Sequence, residues 1–370
     1  LVMDSIMLRL LLLFTTVFIC GCDPLYVTRA AYEHSKILLA KEPIVEKLSS
    51  QEISERNGKL ANVLAARSYA ESIGLDPKGS FLYFSEVPRD ELAWVLIASR
   101  PDKFSIVTWW YPIVGSVPYK GFFTKSDAEK NAKGLEQEGY ETSIRGTDAI
   151  STLGWFDDPV LSTTIRRDLI RIVDTVIHES LHSTVWIPGH VDFNESLANV
   201  LGTIGAAQFF LRRSEWCEGE CDLQKRFRDS ACRSITFMMD FGRFIETLYL
   251  DLEQLYSEDL PREQVLIKRQ AIFEAHRDKL KATYPTVSVF DKLNNAELMQ
   301  FRLYYKSLDR FFLLFKKYNY NISSALEELR NIRDQVSSSK ADPFALLPES
   351  GTSSSQDFQG DICQNHLPID

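Results

Sequence analysis

The stretch VIHESLHSTVW, Val176 to Trp186, places two histidines four residues apart around a glutamate inside an apolar run. On an α-helix, residues four apart share a face one turn apart, so His178 and His182 can direct imidazole nitrogens at one ion. Glu179 then stands beside that ion rather than on it. This is the HExxH arrangement, in which the two histidines hold zinc and the glutamate serves as general base. The competing reading is a core helix with satisfied histidines, and the flanking residues accommodate both. Ile170, Val173, Ile177, Leu181 and Val185 form an apolar stripe at helical spacing, and Asp174, His178 and His182 form the stripe beside it. One face can pack while its neighbour lines a site.

Such a site needs a third protein ligand and an open fourth position. Three candidates follow the motif: Glu195, then Asp192, then His190. The run HVDFNESLANVLGTIGAAQFF reads as a second helix that Asp192 or Asn194 can cap, with Glu195 in its first turn. Antiparallel packing on the motif helix would bring Glu195 to the histidines, so it is the preferred ligand. The longer metzincin pattern fails, because Val185 and Pro188 stand where it requires glycine and histidine.

The 370 residues are 45% apolar, enough for a sizeable core, and the net charge of -9 comes with scattered lysines and arginines. Nucleic acid is therefore not an expected partner. MLRLLLLFTTVFICGCDP near the start reads as an export leader, its apolar run too short for a span of about 20 residues. ICGC, Ile19 to Cys22, looks like a bacterial lipobox and makes Cys22 the candidate lipid attachment site. That implies a membrane partner through the lipid and a position in the cell envelope facing the periplasm. Cys217, Cys221, Cys232 and Cys363 remain after the leader and permit two disulfides, with CEGEC favoured to close on itself.

Residues 28–72 read as helices broken at Pro43, the second ending at Gly74. SFLYFSEV, AWVLIAS, FSIVTWWYPIVGSV and YKGFF read as strands, and TKSDAEKNAKGLEQEGYETSIRG as a serine-capped helix running into another strand. AISTLGWFDDPVLSTTI has the composition of a hairpin or bent edge strand leading into the motif helix. From Arg166 to about Val336 the pattern is helical. The expected class is α+β. Residues 1–22 form the leader and 23–336 one catalytic domain, with helices and sheet over 23–165 and mainly helix over 166–336. Residues 337–370, rich in serine, proline and acid, are expected to be disordered.

STLGWFDDPVLST, HESLH and FNESLAN resemble the bacterial predicted aminopeptidase family, as do YEHSKILLAKEPI, YPIVGSVPYKGFF and LNNAELMQFRLYYKSLDRFF, over Tyr32 to Phe315. The resemblance implies a zincin-like metallopeptidase of gluzincin type, often a lipoprotein. It implies zinc on His178, His182 and Glu195, with Glu179 as the catalytic glutamate and a peptide as substrate. Leu181 and Ser183 replace the family's usual alanine and glutamine, and Gly202 stands near a usual glutamate. A developing oxyanion needs a further donor, for which Tyr304 and Tyr305 are candidates beside a plain packing role. Asp157 and Asp158 are candidates for holding a free α-amino group, beside a turn role, and STLGW for docking an extended peptide. The alternative is an envelope-anchored lipoprotein that uses the scaffold for binding or assembly with little turnover.

Overall fold

The computed structural model describes residues 32–49 except 34, 54–111, 115–147, 152, 157–215, 217, 221–287 and 294–364. The leader with Cys22 and most of STLGW lie outside them.

Residues 35–39 are helical, and β1 (Glu42–Pro43), α1 (Ile44–Ser49) and α2 (Glu55–Ser72) follow. Ser54 caps α2 by accepting from the Asn57 amide, and the helix is left through Gly74 at φ +87°, a left-handed conformation that glycine adopts without strain. Next come β2 (Tyr83–Ser85), β3 (Ala93–Ser99), the hairpin of β4 (Trp109–Tyr111) and β5 (Gly115–Val117), and β6 (Lys120–Phe122). Helix α3 (Lys125–Gln137), β7 (Glu141–Thr147) and β8 (Val160–Leu161) complete the sheet-forming part. Thr124 caps α3 rather than the expected serine: its hydroxyl accepts from the Asp127 amide and donates to the Asp127 carboxylate at 2.7 Å. TKSD thus supplies a complete cap one step earlier than SDAE.

The helical half consists of α4 (Ser162–Ile165), α5 (Leu169–Thr184), α6 (Val191–Glu215), α7 (Asp222–Ser257) and α8 (Arg262–Thr283). After it come α9 (Asn295–Tyr305), α10 (Leu308–Lys317), α11 (Ile322–Ser339) and α12 (Ser355–Cys363). The class is α+β.

An antiparallel sheet of order β6-β3-β7 is clad on both faces. Alternation along β3 sends Trp94 and Leu96 to one side, against Ala128, Ala132 and Leu135 of α3. Val95 and Ile97 go to the other side, against Ala296, Leu303 and Tyr304 of α9. A second small sheet pairs β2 antiparallel with β1 and parallel with β8, just before the motif helix.

The largest core joins α2, α5, α6, α10 and α11, with α6 at its centre: from Val191 to Leu211 every residue except Asp192 and Glu195 is buried. Gly202 and Gly205 let α6 approach α5 closely, since a Cβ at Gly202 would meet Asp174 Oδ1 at 2.5 Å and one at Gly205 would meet Ile177 at 3.0 Å.

The expectation of disorder over 337–370 is corrected for residues 337–364, and the rest lies outside the described residues. Helix α11 continues to Ser339, a 3-10 turn covers Pro343–Leu346, and α12 starts with a capping box on Ser354 and Asp357. Phe344, Leu347, Phe358 and Ile362 are buried in the main core, and Cys363 is bonded to Cys232. A few well-spaced apolar anchors and one crosslink order a segment whose average composition is polar. Cys217 is bonded to Cys221, the pairing favoured for CEGEC.

Candidate metal centre

Asp168 caps α5 by accepting from the Arg171 amide at 3.0 Å. Val173, Ile177, Leu181 and Val185 seat the helix in the core, as their spacing requires, and the neighbouring stripe of Asp174, His178 and His182 faces polar groups of α6. His182 is buried, and the His178 side chain is 13% exposed, so the cluster opens toward solvent on the His178 side.

The chain reverses between α5 and α6 through Gly189, at φ +83°. Asn194 fixes this turn: its side-chain oxygen accepts from the Ile187 amide at 3.0 Å and its nitrogen donates to the Ile187 carbonyl at 2.8 Å. Helix α6 begins at Val191, so Glu195 lies in its second turn rather than its first. Contacts Asp174 to Thr203 and His182 to Glu195 run in opposite senses along the two helices, the antiparallel packing that the short loop requires.

This packing brings His178, His182 and Glu195 together. His178 Nε2 and His182 Nε2 are 3.1 Å apart, and Glu195 Oε2 lies 3.4 Å from the first and 3.7 Å from the second. Atoms bound to a tetrahedral zinc at about 2.0–2.1 Å lie roughly 3.3 Å from one another, so the triangle has the dimensions of one face of such a site. Asp192 is instead bonded to Lys306 at 2.6 Å, and His190 lies outside the cluster.

The electrostatics are those of a buried, charged cluster. Burial alone would lower the His178 pKa, but the hydrogen bond to Glu195 and the charges of Glu179, Glu195 and Asp174 hold it up at about 9. Burial alone would raise the pKa of Glu195, and the two histidines pull it far below the usual carboxylate range. Glu179 Oε2 is buried and accepts no hydrogen bond among the described residues. His182 packs its ring edge against Trp186 at 5.3 Å, four residues on along the chain.

Tyr304 lies within reach of the charges of Glu195 and Glu179, and Tyr305 of that of Asp174 instead. The charge of Glu195, then burial, raises the Tyr304 pKa well above its ordinary value, and Tyr119 and Glu179 add to the effect. Tyr305 stacks edge-on with Phe241 at 4.9 Å in the core. The end of α9 is bolted to α6 just after Glu195: Asn199 donates to the Tyr304 carbonyl at 2.9 Å, and Ser196 donates to the Leu303 carbonyl at 3.2 Å. Tyr119, between β5 and β6, was invisible to local pattern because its neighbours at the site are far away in sequence.

Asp157 and Asp158 lie in the approach to β8. Asp157 is exposed and faces Lys41 at 3.9 Å. Asp158 is buried, accepting from the Thr152 amide at 2.7 Å and hydroxyl at 2.8 Å, while its own amide donates to Ser80. These contacts are those of a loop anchor, the turn role weighed for the pair. Contact with the His178 cluster is not among them.

No curated protein and no solved structure matches the chain significantly. A family model does, over residues 25–342, which include His178, His182 and Glu195 and every element from β1 to α11. On that match the chain belongs to the family described as Putative aminopeptidase.

Proposed function

We propose that the protein is a zinc-dependent peptidase of zincin type, acting as an aminopeptidase. The observation that carries this reading is the convergence of His178, His182 and Glu195 beside Glu179, whose buried Oε2 has no hydrogen-bond partner among the described residues. Two imidazoles and one carboxylate are a ligand set suited to catalytic zinc. When bound, zinc supplies Lewis-acid polarisation of a carbonyl and a more acidic water.

The chain's own groups divide the remaining work. Glu179 accepts the proton of the attacking water and passes it to the leaving amine. Its buried Oε2, which accepts no other hydrogen bond, is free for that proton. Tyr304 stays protonated at neutral pH, because the nearby Glu195 carboxylate opposes a phenolate, and donates to the oxyanion that develops on the scissile carbonyl. The leader supports export and a lipid on Cys22, with the protein held at the cell envelope and facing the periplasm. Two disulfides fit an oxidising compartment.

Metal content of the purified protein and hydrolysis of aminoacyl-arylamides test the proposal together. One zinc per chain is expected, with Glu179→Gln keeping the metal and losing about 10²- to 10⁴-fold in rate. Absence of stoichiometric zinc overturns it. Turnover of N-terminally blocked peptides alone would leave a peptidase and remove the aminopeptidase assignment.

A further inference from the structure

The face of the β6-β3-β7 sheet that α9 covers carries, among the described residues, a charge that no carboxylate offsets. Along β7, Glu141, Ser143 and Arg145 share this face, because β-strand side chains alternate. Glu141 is held by Arg269 and by the Asn295 amide, at the start of α9. Ser143 donates to Gln300 at 2.8 Å, in the middle of α9. Strand and helix thus advance together. Arg145 comes next, exposed, its guanidinium 5.6 Å above the ring of Phe301 and with no carboxylate partner among the described residues.

Two further contacts place Arg145 beside the candidate centre. It pairs directly with Val95 on β3, and paired residues of antiparallel strands project to the same face. Val95 packs in the cluster that contains Tyr304, Tyr119 and Leu303. The charge of Arg145 also reaches the hydroxyls of Tyr304 and Tyr305. An exposed arginine with no carboxylate partner among the described residues, resting on an aromatic ring beside the candidate centre, is suited to receive a planar anion by a two-point contact.

We infer that Arg145 is a specificity-determining residue that receives a carboxylate of the peptide substrate, at a subsite beside Tyr304. The inference rests on the peptidase reading above and adds the substrate's chemistry. The carboxylate can be the free C-terminus of a short peptide or an acidic side chain, and one set of peptides separates the two.

Equilibrium binding is measured on the Glu179→Gln protein with four tripeptides. They carry a free or amidated C-terminus, each with glutamate or glutamine at the last position. Binding about 10- to 100-fold tighter for a carboxylate-bearing peptide is expected, with Arg145→Gln erasing that preference and Arg145→Lys restoring part of it. Preference for the free terminus alone identifies short peptides as substrates, and preference for glutamate alone identifies acidic side chains. In the wild-type protein the same preference should appear in KM with kcat little changed.

Equal binding of all four peptides, or a preference that survives Arg145→Gln, overturns the inference. Hydrolysis without such discrimination would remove the subsite and leave the peptidase. Discrimination without hydrolysis would do the reverse. An unchanged melting temperature and zinc content in Arg145→Gln show that a lost preference is not lost folding.

Discussion

Two carboxylates on the two sides of α9 are treated in opposite ways. Glu141, near its start, has both oxygens engaged: Oε1 accepts from Arg269 Nη1 at 2.7 Å, and Oε2 accepts from Arg269 Nη2 and the Asn295 amide, each at 3.0 Å. Glu195, beside its end, faces two imidazole nitrogens at 3.4 and 3.7 Å, and its neighbour Glu179 leaves a buried oxygen without a partner. Arg269 and Asn295 consume the bonding capacity of Glu141 in joining α8 and α9 to the sheet. At the other end, folding aligns the polar groups and leaves that capacity for a ligand. The difference lies in what engages the oxygens and not in burial, since both acids are partly covered.

Glu141→Ala breaks the comparison at its structural end and carries the largest expected effect. It leaves the Arg269 guanidinium, 6% exposed, without its partner, which costs about 3–5 kcal/mol when a buried pair is broken. Chemical denaturation should report that loss, while the protein that remains folded takes up metal as before. A loss below about 1 kcal/mol would mean that Glu141 is not the structural member of the contrast.

Glu195→Gln works from the other end: metal affinity should fall by at least about 100-fold, and the metal-free protein should lose the stability that the Glu195 charge supplies with His178 and His182. The same cluster gives two opposite pH dependences. The His178 pKa is raised from 6.5 to about 9 in the folded metal-free state, so its contribution to stability is fully present below 6.5 and is lost as pH rises through about 9. That of Glu195 is depressed, so its contribution is present above its ordinary value of 4.5 and is lost as pH falls. Metal binding requires neutral His178 and must strengthen over the window in which the metal-free fold weakens. Melting of chelated protein from pH 6 to 9, beside zinc competition titrations over the same range, checks both signs. Metal-free stability that climbs toward pH 9 would contradict the described geometry of the cluster.

The parts of this contrast that local spacing controls were legible in the sequence. A four-residue interval puts His178 and His182 on one helix face, and a short loop returns Glu195 to them. Which tyrosine joins the site was not legible. Tyr304 and Tyr305 are adjacent on a helix and point about 100° apart, so only the orientation of α9, set by Ser196 and Asn199, separates them. Arg145 and Tyr119 depend on pairing between distant strands and carry no local signal. The tail misled because its average polarity hides Phe344, Leu347, Phe358 and Ile362, and because the pairing of Cys363 with Cys232 spans 131 residues. In each case the missing information is a contact between segments that only the folded chain brings together.

The smallest expected effect tests whether the metal helix is seated as tightly as the contrast requires. Gly202 lies on α6 where Asp174, one turn before His178, packs against it, and Thr203 donates to Asp174 Oδ2 at 3.3 Å. A Cβ at position 202 would come 2.5 Å from Asp174 Oδ1 and 3.1 Å from the Asp174 carbonyl oxygen. The carboxylate can rotate away, but the backbone oxygen belongs to α5 and yields only if the helix shifts. Gly202→Ala should therefore cost about 1–3 kcal/mol despite the better helix propensity of alanine. Because α5 carries both histidines and α6 carries Glu195, the same shift should widen the ligand triangle and weaken zinc binding along with stability. A stabilised variant with unchanged zinc affinity would show that α5 and α6 have slack at this contact. Geometry at the centre would then be set by the Asn194 clamp on Ile187 alone.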